Sequence, residues 1–416
     1  MAAAIVGGPG GIAPPDLIAG APMPPSPDRA ASWAFWIVIG AVIVGQGAGT
    51  IHLPSLAALA ADLGTDTATA QLTLAICLIG NGAGQLLYGP IADRAGRRPA
   101  LLIGLGLLTL GSVGATFAAD AGQLLVCRFI QGLGAAAGPV VGRGVLRDAV
   151  PPDRLVVAMS SLGLALALAP GSAPVIGGVI ERLGGWRWSF GLIALAAVAA
   201  WITCRLHLPE TLSAADRSRA RHTGVLSGYG VFLRMPAFWG YGLVLTFTFG
   251  GLFIFVGLAP VLLIGTLGIR ADHYGFWSLL PSLGFLAGTQ VVRRAGLRLG
   301  GRRMIRIGTL VLVAAGIAMA AAALLLPLSA ITLMAPMALF GAGLGIQVPN
   351  VMTRAVQLEP MLAGTASSLL GLFQLGGSAV IAATAALLPH DDAAGLGLAL
   401  AACALAALAC LKLIPR

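Results

Sequence analysis

Charge is scarce in this 416-residue chain: Asp, Glu, Lys and Arg together make up 10% of it, against 58% hydrophobic residues, and the mean hydropathy is +0.93. Soluble domains keep about a quarter of their residues charged, so water is excluded as the main solvent. The five cysteines, Cys77, Cys127, Cys204, Cys403 and Cys410, stand singly or seven apart inside apolar runs. That spacing excludes a paired-thiolate metal site and leaves them as small packing residues. Histidines are equally sparse, at positions 52, 207, 222, 273 and 390, and no metal or nucleophile constellation gathers around them. The reading is therefore a non-enzyme that needs no cofactor and no metal. Strand-length segments of alternating polarity are missing, which excludes an outer-membrane barrel. A selectivity-filter motif is missing too, which argues against a channel.

What remains is a succession of apolar runs, each long enough to cross a ~30 Å hydrocarbon core as a helix of about 20 residues. Twelve are expected. Six lie near Trp33–Ala60, Ala68–Ile91, Pro99–Phe117, Gln123–Leu146, Val157–Ile180 and Trp188–Leu206. Six more lie near Phe238–Leu263, Tyr274–Val292, Met304–Leu326, Ala330–Val351, Leu362–Leu388 and Ala393–Leu411. The fold class is thus all-α and polytopic, two six-helix bundles in residues 32–208 and 235–416. Residues 1–31, rich in Pro, Gly and Ala and without the basic start of a signal peptide, are expected to form a disordered tail. The polar stretch 209–234 is expected to be the linker between the halves.

The net charge of +10 suggests nucleic acid in a soluble protein, but here the arginines are spread over the loops at one end of the spans. Arg94, Arg97, Arg98, Arg143, Arg147 and Arg154 illustrate the bias in the first half, and Arg293, Arg294, Arg302, Arg303 and Arg354 in the second. Only Arg182, Arg187 and Arg270 fall at the other end. By the positive-inside rule both termini are cytoplasmic and the chain sits in the inner (plasma) membrane, with lipid and no nucleic acid as its surroundings. Glycines four apart, as in Gly80/Gly84, Gly134/Gly138 and Gly341/Gly345, suit close helix packing in lipid.

Three motifs carry more than packing. Gly89-Pro90-Ile91-Ala92-Asp93-Arg94-Ala95-Gly96-Arg97-Arg98 joins the second and third runs, and its Gly96-Arg97-Arg98 recurs as Gly301-Arg302-Arg303 after the eighth. The glycines let two helices converge, while Asp93 can pair with its arginines. Arg128, inside the fourth run and close to Gln131, costs about 3 kcal/mol at a helix centre, so it should face the bundle interior or a watery cavity. The fifth run holds Pro170, Pro174, Gly177 and Gly178, which permit a bend or a tight contact.

The first motif resembles the signature loop of the major facilitator superfamily, and the fifth run resembles the antiporter motif of its drug exporters, with Ala173 where that pattern usually has Gly. Gly84–Pro90, Gln131–Gly138, Gly185-Trp186-Arg187, Leu208–Leu212 and Ala363–Ser367 narrow the resemblance to Bcr/CflA-type multidrug efflux transporters. The resemblance implies a monomeric secondary transporter that exports small organic molecules by alternating access, exchanging them for protons. It implies that Gly89, Asp93, Arg94, Gly96, Arg97 and Arg98 gate one face. A metabolite exporter or importer of the same fold stays open as the alternative.

The sequence also departs from that pattern. All fifteen acidic residues fall in a tail, a loop or a helix end, and the Asp that the family places in the first run is here Thr50. His52 is left as the titratable candidate of that run, with an unperturbed pKa near 6.5; a hydrogen-bonded structural role is its alternative, and Glu181 and Asp148 at helix ends are the acids open to the same task. Polar residues expected along the pathway are Gln46, Asn81, Gln347, Asn350 and Gln374, with Tyr241, Phe249 and Phe253 as aromatic walls. With Arg128 near the cavity and no acid opposite, neutral or anionic substrates are expected.

Overall fold

A computed structural model describes residues 27–215, 217–218, 225–359, 362–385 and 393–414. The expected tail lies outside the described residues up to position 26, as do most of the linker's centre and the end of the eleventh run.

Each apolar run forms a helix, and short polar signals set where helices start. α1 spans Pro27–Thr50 and continues through a 3₁₀ turn, Leu53–Ser55, into a short helix, Leu56–Asp62. α2 (Thr67–Ala95) is capped by Asp66, whose carboxylate accepts the Thr69 N–H at 2.7 Å. α3 covers Arg97–Thr116, and α4 (Ala121–Ala149) is capped in the same way by Asp120. α5 (Pro152–Gly184) and α6 (Trp186–His207) complete the first bundle. The second holds α7 (Pro236–Pro260), α8 (Ala271–Trp277 with Leu279–Leu299), α9 (Gly301–Leu325), α10 (Ala330–Val356), α11 (Ala363–Thr384) and α12 (Ala393–Cys410). α10 opens on a reciprocal capping box between Ser329 and Thr332.

Among the described residues eleven helices are long and apolar enough to span a membrane. The eighth run is helical as expected, but its last turns carry Arg293, Arg294 and Arg298 and dilute its apolar character. Left-handed glycines make the sharp joints: Gly96 (φ +112°) between α2 and α3, and Gly300 (φ +76°) between α8 and α9. The sequence repeat pairs Gly96 with Gly301, whereas the structure places the corresponding turn one residue earlier.

The apolar core shows how the bundles meet. At the arginine-poor end one cluster runs through both, joining Leu53, Leu74 and Phe190 to Phe253, Met337 and Phe340. Towards the arginine-rich end the core divides. One cluster around Val38, Leu101 and Val145 belongs to the first bundle, and another around Phe238, Leu245 and Val351 to the second, with Leu86 of α2 packed against its edge. α5 and α8 approach only near the arginine-poor end: a Cβ on Gly171 would sit 2.1 Å from Ser282 Oγ, and one on Gly178 2.1 Å from the Ala271 carbonyl. Two turns below Gly171, Gly163 has nothing within 4 Å of its Cβ position. α2 and α11 stay in touch along the opposite side, through Gly82 against Gly376 and Gly89 against Ser368.

The polar stretch between the bundles is partly built into them. Residues Val225–Leu233 form a helix whose Phe232 is fully buried and packs against Phe238, the rings tilted by 39° at 4.7 Å between centroids.

Candidate functional site

Helix breaks leave backbone carbonyls without donors, and the polar side chains singled out in the sequence converge on these. α1 stops at Thr50, so the carbonyls of its last turn have no partner within the helix. Arg128, fully buried on α4, donates to two of them, Ala48 at 2.8 Å and Gly49 at 3.0 Å. Its other donors reach the Thr73 carbonyl on α2 at 3.1 Å and the side-chain oxygen of Gln131. Gln131 in turn donates to Ser112 on α3 at 2.7 Å. Arg128 therefore faces the bundle interior, where its charge is taken up by neutral oxygens of the framework, and no part of it is open to a ligand.

His52 lies in the same polar layer, fully buried and stacked on Phe190 at 5.5 Å. The Thr73 hydroxyl donates to the Ala70 carbonyl at 2.6 Å, so it accepts from His52 Nε2 at 3.0 Å. This bond assigns the imidazole proton to Nε2 and leaves Nδ1 buried without a partner.

Thr50 answers a proline. Pro174 has no N–H to offer the carbonyl one turn back, that of Pro170, and the Thr50 hydroxyl donates to it at 2.8 Å. Nearby, Gly177 passes so close to α1 that an added Cβ would lie 1.7 Å from the Ile51 carbonyl. A second proline is answered in the same manner. Pro90 leaves the Leu86 carbonyl of α2 without its donor, and Tyr229 of the linker helix donates to it at 3.1 Å.

At the arginine-rich end the signature loop forms an ion network. Arg97, largely buried, pairs with Asp93 at 2.7 Å and with Asp148 of α4 at 3.1 Å, and Arg147 adds a second partner to Asp148. Arg98 donates to the Arg205 carbonyl at 2.7 Å, and Arg94 sits half-buried on the same loop. Sequence reasoning assigned no role to Glu210, which holds the loop together. Its carboxylate accepts the backbone N–H groups of Arg97 (2.9 Å) and Arg98 (3.3 Å) at the start of α3, and that of Leu212. Gly96 is required beside it, because a Cβ there would lie 2.2 Å from Glu210 Oε2. A cavity of about 420 Å³ opens between Asp93, Arg97, Arg147, Asp148 and residues Thr211–Ser213.

Several residues expected along a pathway are spent elsewhere. Gln347 is fully buried, accepting from Thr248 at 3.0 Å and donating to Thr309 at 2.7 Å, so it ties α7, α9 and α10 together. Asn81 is buried and accepts from Gln85, and Asn350 donates to the Ile346 carbonyl of its own helix. Tyr241 packs in the core with Phe238, and Phe253 is buried in the shared cluster against Phe249. Gln374 is half-buried in a wide π turn, Leu372–Gly377, within α11. That turn frees the Phe373 carbonyl, which Thr246 of α7 claims at 2.8 Å.

The three arginines of the other end are all engaged. Arg187 pairs with Asp62 and lies over Trp186 at 4.2 Å. Arg182 of α5 and Arg270 both reach Asp272 of α8, at 3.2 and 2.8 Å, so the Arg182 pair bridges the two bundles.

Comparison with known proteins accords with this architecture. The family model described as Major Facilitator Superfamily matches residues 37–383. The multidrug resistance protein D of Escherichia coli K12 is 30% identical over 357 residues, covering 86% of this chain and 89% of that protein. A bicyclomycin resistance protein homolog of Haemophilus influenzae is 29% identical over 353 residues, covering 85% and 88%. Among solved structures, a D-xylose-proton symporter superposes with a TM-score of 0.74 at 17% identity over 93% of this chain and 98% of that one. At such identity the likeness speaks for the fold alone. The chain is a multi-pass membrane protein of the Major Facilitator Superfamily, of the type to which the bicyclomycin-resistance transporters belong.

Proposed function

We propose that this chain exports small organic molecules, drugs among them, in exchange for protons, its two bundles rocking to expose a central pathway to either side in turn. The observation that carries the reading is the division of the core: continuous across both bundles at the arginine-poor end, separate at the arginine-rich end. Such an arrangement seals one mouth and leaves the other free to part, as an exporter awaiting cargo requires. The relatives named for resistance supply the substrate class. In this reading the arginine-rich end and both termini are cytoplasmic, the protein works as a monomer in the inner membrane, and its cargo is neutral or anionic. Asp93, Arg94, Arg97 and Arg98, with Gly89 and Gly96, form the inner gate, Pro170, Pro174, Gly177 and Gly178 shape the helix contact that must not leak, and Gln374 lines the α11 side of the path. The coupling step falls to His52, since Thr50 stands where the family resemblance places an acid.

The test is drug accumulation in efflux-deficient cells expressing the chain, over neutral, anionic and cationic compounds, with and without a protonophore. Lower accumulation that the protonophore abolishes, and that His52→Ala weakens, is the expected result. An unchanged panel removes the drug assignment and turns attention to metabolite exchange on the same fold. Preferential transport of quaternary cations would contradict the charge preference.

A further inference from the structure

Arg143 of α4 is a cation that the framework of the first bundle leaves unused. It is half-buried, and no hydrogen bond or ion pair joins it to another described residue. The arginines around it are occupied: Arg97 and Arg147 by Asp93 and Asp148, Arg128 by backbone carbonyls. Nor does Arg143 line the cavity of the signature loop.

Its neighbours fix its direction. A Cβ on Gly142 would touch Val38 of α1 at 2.6 Å, and one on Gly144 would touch Arg97, the first residue of α3, at 2.8 Å. Successive residues on a helix turn by about 100°, so Arg143 points between the directions of α1 and α3 and at neither. On α1, Gln46 is turned in a similar way. Gly45 faces Ala135 of α4 and Gly47 faces Ala173 of α5, and Gln46, half-buried and without a partner among the described residues, points between them. Val38, level with Arg143, is about 12 Å from Gln46 along α1 at ~1.5 Å per residue. On the export reading above, the two side chains fall at the lower and upper parts of one path between the bundles.

We propose that Arg143 is the recognition cation of that path, holding the carboxylate of an amphipathic organic anion whose apolar body lies towards Gln46. The assignment rests on the export reading above and shifts its charge preference from Arg128, whose donors are spent, to Arg143. A guanidinium presents paired N–H donors that match a carboxylate, and a half-buried one without a counter-charge gains most from an anionic guest.

The experiment is binding rather than transport, so it stands apart from the export assay. The full chain, in nanodiscs of phosphatidylcholine, is titrated with anthracene-9-carboxylate and with the uncharged anthracene-9-carboxamide, followed by fluorescence anisotropy. The wild type should prefer the carboxylate by about tenfold or more. Arg143→Gln should erase that preference and Arg143→Lys keep most of it, each with a cooperative melt that shows a folded protein. A wild type with no preference, or an Arg143→Gln variant that keeps it, overturns the assignment. Export of neutral compounds in cells alongside either result leaves the transport reading in place.

Discussion

Thr50 shows how much one hydroxyl decides. It donates to the carbonyl that Pro174 leaves bare, joining α1 to the bend of α5. Thr50→Val removes the donor and keeps the shape, so it should cost about 1–2 kcal/mol, read as a lower melting temperature in detergent. Thr50→Asp restores the acid of the family pattern in a place that demands a donor. A protonated carboxyl can donate to Pro170 as the hydroxyl does, while an ionised one can only accept. Relative to the wild type at the same pH, the melting temperature of that variant should therefore fall as pH is raised from about 5 to about 8. A flat profile would show that the side chain has turned away from α5.

At the scale of helices, adjacent glycines on α5 face different neighbours. Gly177 abuts Ile51 within the first bundle and Gly178 abuts Ala271 of the second. Gly177→Ala should destabilise the protein by about 1–3 kcal/mol, because neither backbone can yield without unpacking its bundle. Gly178→Ala has another way out, since the bundles can separate. It should melt near the wild type while raising the reactivity of a cysteine placed at Ala271 towards an impermeant maleimide. The helices themselves were legible in the sequence because the length of an apolar run and the polar caps at its ends are local properties. Helix partners were not. Glu210 and Tyr229 act on backbone groups more than a hundred positions away, Arg97 N–H and the Leu86 carbonyl. Arg128 could be expected inside from its desolvation cost, but its acceptors exist only because α1 breaks at Thr50 beside α4. Gln347 and Asn81 looked like pathway residues for the same reason: an amide in an apolar run must find partners, and the run alone does not say whether those are protein or cargo.

For the whole molecule, the balance between closed and open states of the arginine-poor mouth, the outer one in the proposed cycle, rests on many small contacts. Among the described residues the Arg182–Asp272 pair joins the two bundles ionically, yet the Arg182 side chain is 59% exposed. Exposed pairs are worth about 0.2–1 kcal/mol, so Asp272→Asn should raise outward accessibility of the same cysteine by no more than about fivefold. A larger change would mean that the latch, rather than the shared apolar cluster, holds the outer mouth shut. The segment between the bundles has a different bearing. Its helix buries Phe232 in the second half while Tyr229 grips α2 of the first. Chimaeras that exchange halves between relatives must therefore treat residues 225–233 as a matched part, inherited with the second bundle and compatible with the donor of the first. A crossover placed there for convenience would recombine two proteins across a joint that each had fitted to itself.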